Sequence, residues 1–387
     1  MVRWVAAAGA FVVSLDSMVN IAFPAIAAAF GTPPERVRWI IVCYVFTYAV
    51  MSFVGGAAAD RLGHASVLKA GMALSVAGFL LVGAAPTFGW VLAGRAVQGF
   101  GAGLVYGTTP ALVTAGAPEA ARGRRLGFLA AAIGLGFALG PLPAGVLVEA
   151  FGWRAVFHVR VPLMLAALAW ALAGLRAPRV AAAQPMVAGR DVVRAPVLRA
   201  CALAFVANAA IFAIWLLAPF YLVTVRGLRA SLVGALFTLT PLGTALGAAF
   251  AGRLSDALGP AVPMLAGLAL ETAGLLGLAT AGAATPLGLV ALALFAAGFG
   301  LGAFQVPNQA GVMAAFPAGQ QGAAGGLSFL ARTLGVVAGV LVLAGAFAAR
   351  RAAAGFEPAF AEALRLAATV LAVALAAELL ARYTRRR

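Results

Sequence analysis

Asp16, Arg95 and Glu271 are ionisable side chains set deep inside long apolar runs of the chain. Asp16 lies in FVVSLDSMVNIAFPAI, from Phe11 to Ile26, with Asn20 one helical turn further on. Arg95 has Gln98 a little under one turn away, and Glu271 sits in LALETAGLLG. An ionised side chain at the centre of a bilayer costs about 2.5–3.5 kcal/mol on the mildest scale. It must therefore pair, face water or give up its charge. The chemistry open to such groups is the uptake and release of a proton. Protonated, Asp16 costs little in apolar surroundings; ionised, it needs Arg95, water or a cationic ligand. The plainer reading is a buried acid hydrogen-bonded to Asn20 or to a backbone group. Glu271 is open in the same way, as a second site for a proton or a cationic substrate, or as an acid that only hydrogen-bonds a neighbour.

Other chemistries find no residues. Cys43 and Cys201 are far apart, His64 and His158 are scattered, and no metal-ligand spacing occurs, so no metal site is expected. No nucleophile–base pair lies at membrane depth and no G-x-x-x-x-G-K-[ST] loop is present, which argues against an enzyme and a nucleotide-driven pump. No cofactor is expected.

The elements that position these groups follow from composition. The 387 residues are 64% hydrophobic and 10% charged, against roughly 25% charged in a soluble chain. An all-α integral membrane protein is expected, with the lipid bilayer as its surroundings. The net charge of +16 comes from arginines set singly or in small groups between apolar runs. That pattern suits topogenic loops rather than nucleic acid. A span needs about 20 mainly apolar residues. Twelve such segments can be read, at about 4–28, 39–59, 67–85, 88–113, 126–148, 155–175, 197–222, 231–252, 262–281, 286–313, 323–347 and 360–382. Glycine and alanine dominate them, as in helices packed through small residues. The count of basic residues favours cytoplasmic termini: Arg3, Arg61, Lys69, Arg122, Arg124, Arg125, Arg253, the Arg382–Arg387 cluster and, in the connector region, Arg176, Arg179, Arg190, Arg194 and Arg199 fall inside. Arg36, Arg38, Arg154, Arg160, Arg226, Arg229, Arg350 and Arg351 fall outside.

Residues 1–175 and 197–387 form two six-helix halves, joined by the polar connector 176–196, where a short surface helix has room. The halves repeat each other. VGGAAADRLGHASVL (Val54–Leu68) is echoed by AFAGRLSDALGPAVPML (Ala249–Leu265), so that Gly56, Asp60 and Gly63 match Gly252, Asp256 and Gly259. QGFGAGLVYGTTPA (Gln98–Ala111) is echoed by AGFGLGAFQVPNQA (Ala297–Ala310). Such repeats are one architecture of secondary transporters, with the substrate site near the midplane.

These stretches resemble the major facilitator superfamily, and within it the drug:proton antiporters. ADRLGHASVL is similar to the superfamily signature between spans two and three, with His64 and Ala65 in place of a usual basic pair. GRAVQGFGAG (Gly94–Gly103) resembles the arginine motif of span four. GFALGPLPAG (Gly136–Gly145) resembles the antiporter motif of span five, with Ala144 where a second glycine is usual. LDSMVNIAFPAI and FGWRAVFHVRVPL resemble the branch that usually has fourteen spans; the connector here is too short for the two extra ones.

The resemblance implies twelve transmembrane helices in two pseudo-symmetric halves, a proton gradient as the energy source, and export of hydrophobic or amphiphilic small molecules by alternating access. It implies a multi-pass, monomeric protein of the cytoplasmic membrane. It also implies proton coupling through Asp16 and Arg95, a conformational latch at Asp60 and Asp256 with Arg61 and Arg253 the nearest basic residues, and a sealing helix at Gly136, Gly140, Pro141 and Gly145. The cavity lining would come from spans one, four, seven and ten: Asn20, Gln98, Tyr106, Asn208, Trp215, Gln305, Asn308 and Gln309. A narrow metabolite exporter, an importer, or a transport-inactive sensor or assembly partner are the alternatives, since one fold hosts many functions.

Overall fold

The computed structural model describes residues 1–116, 119–175, 194–316 and 321–386. Among the described residues, twelve long helices follow one another in chain order. They are α1 (Val2–Ala29), α2 (Arg38–Leu62), α3 (His64–Gly83) and α4 (Phe88–Thr114). Next come α5, in two pieces (Glu119–Leu139 and Pro141–Phe151), and α6 (Ala155–Gly174). Beyond the connector lie α7 (Ala195–Val225), α8 (Ala230–Leu258), α9 (Ala261–Ala279) and α10 (Leu287–Ala314). The last two are α11 (Gln321–Ala354) and α12 (Phe356–Arg386). Eleven stretches of the described residues are long and apolar enough to cross a membrane. The twelfth helix, α4, has 27 residues, and its hydropathy is lowered by Arg95, Gln98 and a run of glycines. In a bilayer only such internally bonded backbones can span.

The chain divides into two compact units. One holds α1 to α6 together with Arg229–Ala235, the first turns of α8; the other holds the remainder of α7 to α12. The connector 176–193, expected to carry a linker or surface helix, lies outside the described residues.

Within each unit the helices meet at glycines, and the two units do so in the same register. In the first, Gly99, Gly103 and Gly107 of α4 face the Tyr44, Tyr48 and Ser52 carbonyls of α2, while Gly101 faces Ser75 of α3. In the second, Gly298 and Gly302 of α10 face the Thr240 and Thr244 carbonyls of α8, while Gly300 faces Glu271 of α9. Close backbone approach through small residues is what holds helices together when lipid removes the hydrophobic drive. The QGFGAG and AGFGLG echo is the sequence record of this packing.

Several helices are interrupted. α1 tightens to a 3-10 turn over Leu15–Ser17, α5 breaks at Gly140, and α6 breaks at Val159 between Ala155–His158 and Arg160–Gly174. In α6, Pro162 has no N–H for the His158 carbonyl, which accounts for the break. Broken helices at membrane depth mark binding and coupling sites in secondary transporters. Asp16 is the middle residue of the first break, and Arg160 begins the second piece of α6.

Three local expectations change. The spans expected at 323–347 and 360–382 run to 34 and 31 residues, because Gly355, at φ +82°, turns the chain alone. Arg350 and Arg351 therefore lie in the end of α11 rather than in a loop. Arg160, counted among outside loop charges, is fully buried.

Candidate functional site

The Asp16 carboxylate is the hub of the first unit. Its Oδ1 accepts from Arg95 Nη1 at 2.6 Å, from Gln98 Nε2 at 2.8 Å and from Arg160 Nη1 at 2.9 Å. Its Oδ2 accepts from Arg95 Nη2 at 2.7 Å. The Arg95 fork is thus bidentate, the strongest geometry for such a pair. Arg95 Nε also donates to the Ile40 carbonyl at 3.1 Å, Nη1 donates to Gln98 Oε1 at 3.0 Å, and the guanidinium lies 4.1 Å from the Tyr44 ring centre. Every nitrogen of Arg95 is engaged.

Arg160 is held differently. It is 0% exposed, yet among the described residues its single hydrogen bond is the one to Asp16. Nε and Nη2 have no hydrogen-bond partner. Its guanidinium lies against aromatic faces, 4.3 Å from the Phe79 ring centre and 5.3 Å from that of Phe157. Two guanidiniums and one carboxylate leave the buried group with one net positive charge.

The surrounding backbone fits this hub closely. Ser14 Oγ donates to the Ala10 carbonyl and so accepts from the Tyr106 hydroxyl at 2.9 Å. Asn20 Nδ2 reaches the Ser17 carbonyl at 3.2 Å, and Ser17 Oγ donates to the Phe137 carbonyl of α5 at 2.9 Å. A methyl group on Gly136 would stand 2.6 Å from the Phe11 carbonyl oxygen and 2.7 Å from Ser14 Cβ, and one on Gly140 would run into Ser17. These two glycines press α5 against α1 on either side of Asp16. Further along, Gly145 meets Ala230 and Ser231, and Gly234 meets Pro141. There Glu149 Oε2 accepts the Ser231 N–H at 3.1 Å, an acid at the start of α8 as helix polarity favours.

In the second unit, Gln305 Nε2 donates to Asn208 Oδ1 at 3.2 Å, and Asn308 Nδ2 to the Ala200 carbonyl at 3.1 Å. Trp215 stacks on Phe212 and meets Phe237 edge-on. Gln309 is half-buried. Glu271 of α9, whose backbone meets Gly300 of α10, is fully buried, with no hydrogen-bond partner for either oxygen. Glu378 is buried and paired with Arg382 at 2.6 Å and Arg199 at 3.2 Å.

The repeated glycine–aspartate stretches both end helices. Gly63 at φ +91° closes α2 through its N–H to the Ala59 carbonyl, and Gly259 at φ +79° closes α8 through its N–H to the Ser255 carbonyl. Asp256 is exposed in the last turn of α8, the end where helix polarity disfavours an acid. The Asp60 side chain lies outside the described residues.

Asp16, Arg95 and Gln98 are brought together, with Asn20 and Tyr106 one shell away. Glu271, Asn208, Gln305, Asn308 and Trp215 belong to the other unit. Arg160 is the member that the sequence reading missed. Its one signal was its place two residues before Pro162, inside an apolar run.

Comparison with known proteins fits this architecture. The family model of the Major Facilitator Superfamily matches residues 5–340. The chain is 25% identical over 393 residues to the riboflavin transporter RibZ of Clostridioides difficile, covering 88% of this chain and 86% of that one. It is 26% identical over 404 residues to the multidrug resistance protein Stp of Mycobacterium tuberculosis, covering 88% and 74%. Over 42% of its length it is 35% identical to the methylenomycin A resistance protein of Bacillus subtilis, of which it covers 36%. Among solved structures, a bacterial homologue of the lysosomal transporter Spinster superposes with a TM-score of 0.81 at 17% identity, over 97% of this chain and 95% of that one. The nucleoside transporter NupG superposes at 0.79 and 11% identity, over 98% and 99%. The chain belongs to the major facilitator superfamily. It is a multi-pass membrane transporter of small molecules and not an enzyme.

Proposed function

We propose that this transporter exports hydrophobic or amphiphilic small molecules from the cytoplasm in exchange for protons, by alternating access. The observation that carries the reading is a carboxylate at a helix break, held by two guanidiniums and an amide. Such an acid has two well-defined states. Ionised, Asp16 ties α1 to α4 and α6; protonated, it can no longer hold two cations. A proton gradient is then the energy source and no cofactor is needed.

In this reading Asp16 and Arg95 carry the coupling, with Glu271 as a second protonation site in the other unit. Gly136, Gly140, Pro141 and Gly145 keep the helix around Asp16 closed to proton leak. Asp60 and Asp256, with Arg61, Arg253 and the glycine-ended helices, latch one conformation. Asn20, Gln98, Tyr106, Asn208, Trp215, Gln305, Asn308 and Gln309 face the substrate. The protein works as a monomer in the cytoplasmic membrane with both termini inside. The multidrug resistance name of one relative supports a broad substrate range.

A second reading, a transporter of one metabolite, draws on the riboflavin transporter relative, which matches over most of both chains. Purified protein in vesicles under an imposed pH gradient separates the two, with ethidium and riboflavin as probes. Gradient-driven ethidium movement supports the broad antiporter. Riboflavin movement without ethidium movement supports the narrow one. A sodium gradient that drives transport where a pH gradient does not would contradict proton coupling.

A further inference from the structure

We propose that Arg160 is the positioning residue that passes the charge state of Asp16 to α6. The inference rests on the reading of Asp16 as a proton carrier and goes beyond it, because nothing in the sequence motifs assigns Arg160 a part. The two guanidiniums on Asp16 are unequal. Arg95 is fixed by the Ile40 carbonyl, Gln98 and the Tyr44 ring as well as by Asp16. It keeps those partners whatever happens to the carboxylate. Among the described residues Arg160 has only Asp16 as a hydrogen-bond partner, with Nε and Nη2 unpartnered and fully buried.

A proton on Asp16 removes that one polar partner and raises the net charge of the group from one to two. Phe79 and Phe157 offer ring faces, which do not replace a carboxylate for a buried cation. Arg160 must then move toward water or another acceptor. It is the first residue of the second piece of α6, directly after the break at Val159. Movement of its side chain therefore pulls on a point where Pro162 already withholds one helical hydrogen bond from the His158 carbonyl. The charged and titratable groups facing Asp16 are Arg95 of α4, Arg160 of α6, Tyr44 of α2 and Tyr106 of α4. Of these, Arg160 alone depends on Asp16 for all its hydrogen bonding.

The test combines a stability cycle with a transport split. In detergent, Asp16→Asn should lower the melting temperature, and the double variant Asp16→Asn/Arg160→Gln should recover most of the loss. Asp16→Asn/Arg95→Gln should not. In vesicles, Arg160→Gln should lose gradient-driven ethidium accumulation by tenfold or more, with Arg160→Lys in between. A double variant no more stable than Asp16→Asn, or Arg160→Gln with undiminished gradient-driven accumulation, overturns the proposal. If wild type moves no ethidium at all, the exporter reading falls, and the stability cycle alone still decides whether Arg160 depends on Asp16.

Discussion

The Arg95 guanidinium grips the Asp16 carboxylate with two parallel hydrogen bonds, Nη1 to Oδ1 at 2.6 Å and Nη2 to Oδ2 at 2.7 Å. The two residues come from α1 and α4, and the pair is almost sealed from solvent, Arg95 being 2% exposed. Arg95→Lys keeps the charge and loses the fork and the bond to Ile40. Removing one partner of a buried pair costs about 3–5 kcal/mol. Arg95→Gln should approach that loss and Arg95→Lys fall short of it, as read by thermal unfolding in detergent.

Gly136 lets α5 touch α1 beside Asp16. Gly136→Ala places a methyl group 2.6 Å from a backbone carbonyl, and overpacking of this kind costs about 1–3 kcal/mol. Gly288→Ala, with nothing within 4 Å, is the matched control and should be neutral or slightly stabilising, since alanine favours the helix. A Gly136→Ala protein as stable as wild type would contradict the close α1–α5 contact at this glycine.

Glu271 gives a prediction with opposite signs for stability and function. Both its oxygens are buried without partners, a cost of about 1–3 kcal/mol for an unsatisfied group. Glu271→Met should therefore leave stability unchanged or raise it. If Glu271 is a protonation site, the same variant should lower gradient-driven transport. Stability and transport both unchanged would reduce Glu271 to a passive buried acid.

Asp256 is exposed at the end of α8, so Asp256→Asn should change stability by less than about 0.5 kcal/mol. As a conformational latch it should nevertheless slow or unbalance transport. Gly259→Ala, at φ +79°, should cost about 1–2 kcal/mol through backbone strain alone. Equal transport in wild type and Asp256→Asn would leave the repeated motif with a helix-ending part only.

Much of this fold was legible because the bilayer restricts what a sequence can do. Apolar runs of span length must be helices, and the glycine echoes between Gln98–Ala111 and Ala297–Ala310 mark the same packing in both units. Asp16 stood out because a carboxylate among FVVSL and SMVNIAF has no ordinary reason to be there. Arg160 did not, because an arginine near a span end reads as a loop charge. Its burial depends on the break at Val159 and on the ring faces of Phe79 and Phe157, which lie far apart in sequence. The lengths of α11 and α12 were hidden similarly, since arginines inside a helix end look like a loop until Gly355 is seen to turn the chain.

Asp16 as the coupling acid is tested most directly by following protons and substrate together. Wild type and Asp16→Asn are placed in vesicles containing a pH-sensitive dye, ethidium is added on one side, and both fluxes are recorded. In wild type, ethidium entry should drive proton exit, and Asp16→Asn should abolish the proton flux while ethidium moves only down its own gradient. Proton exit coupled to ethidium entry in Asp16→Asn at the wild-type ratio would contradict that role, and would move the proton to another residue.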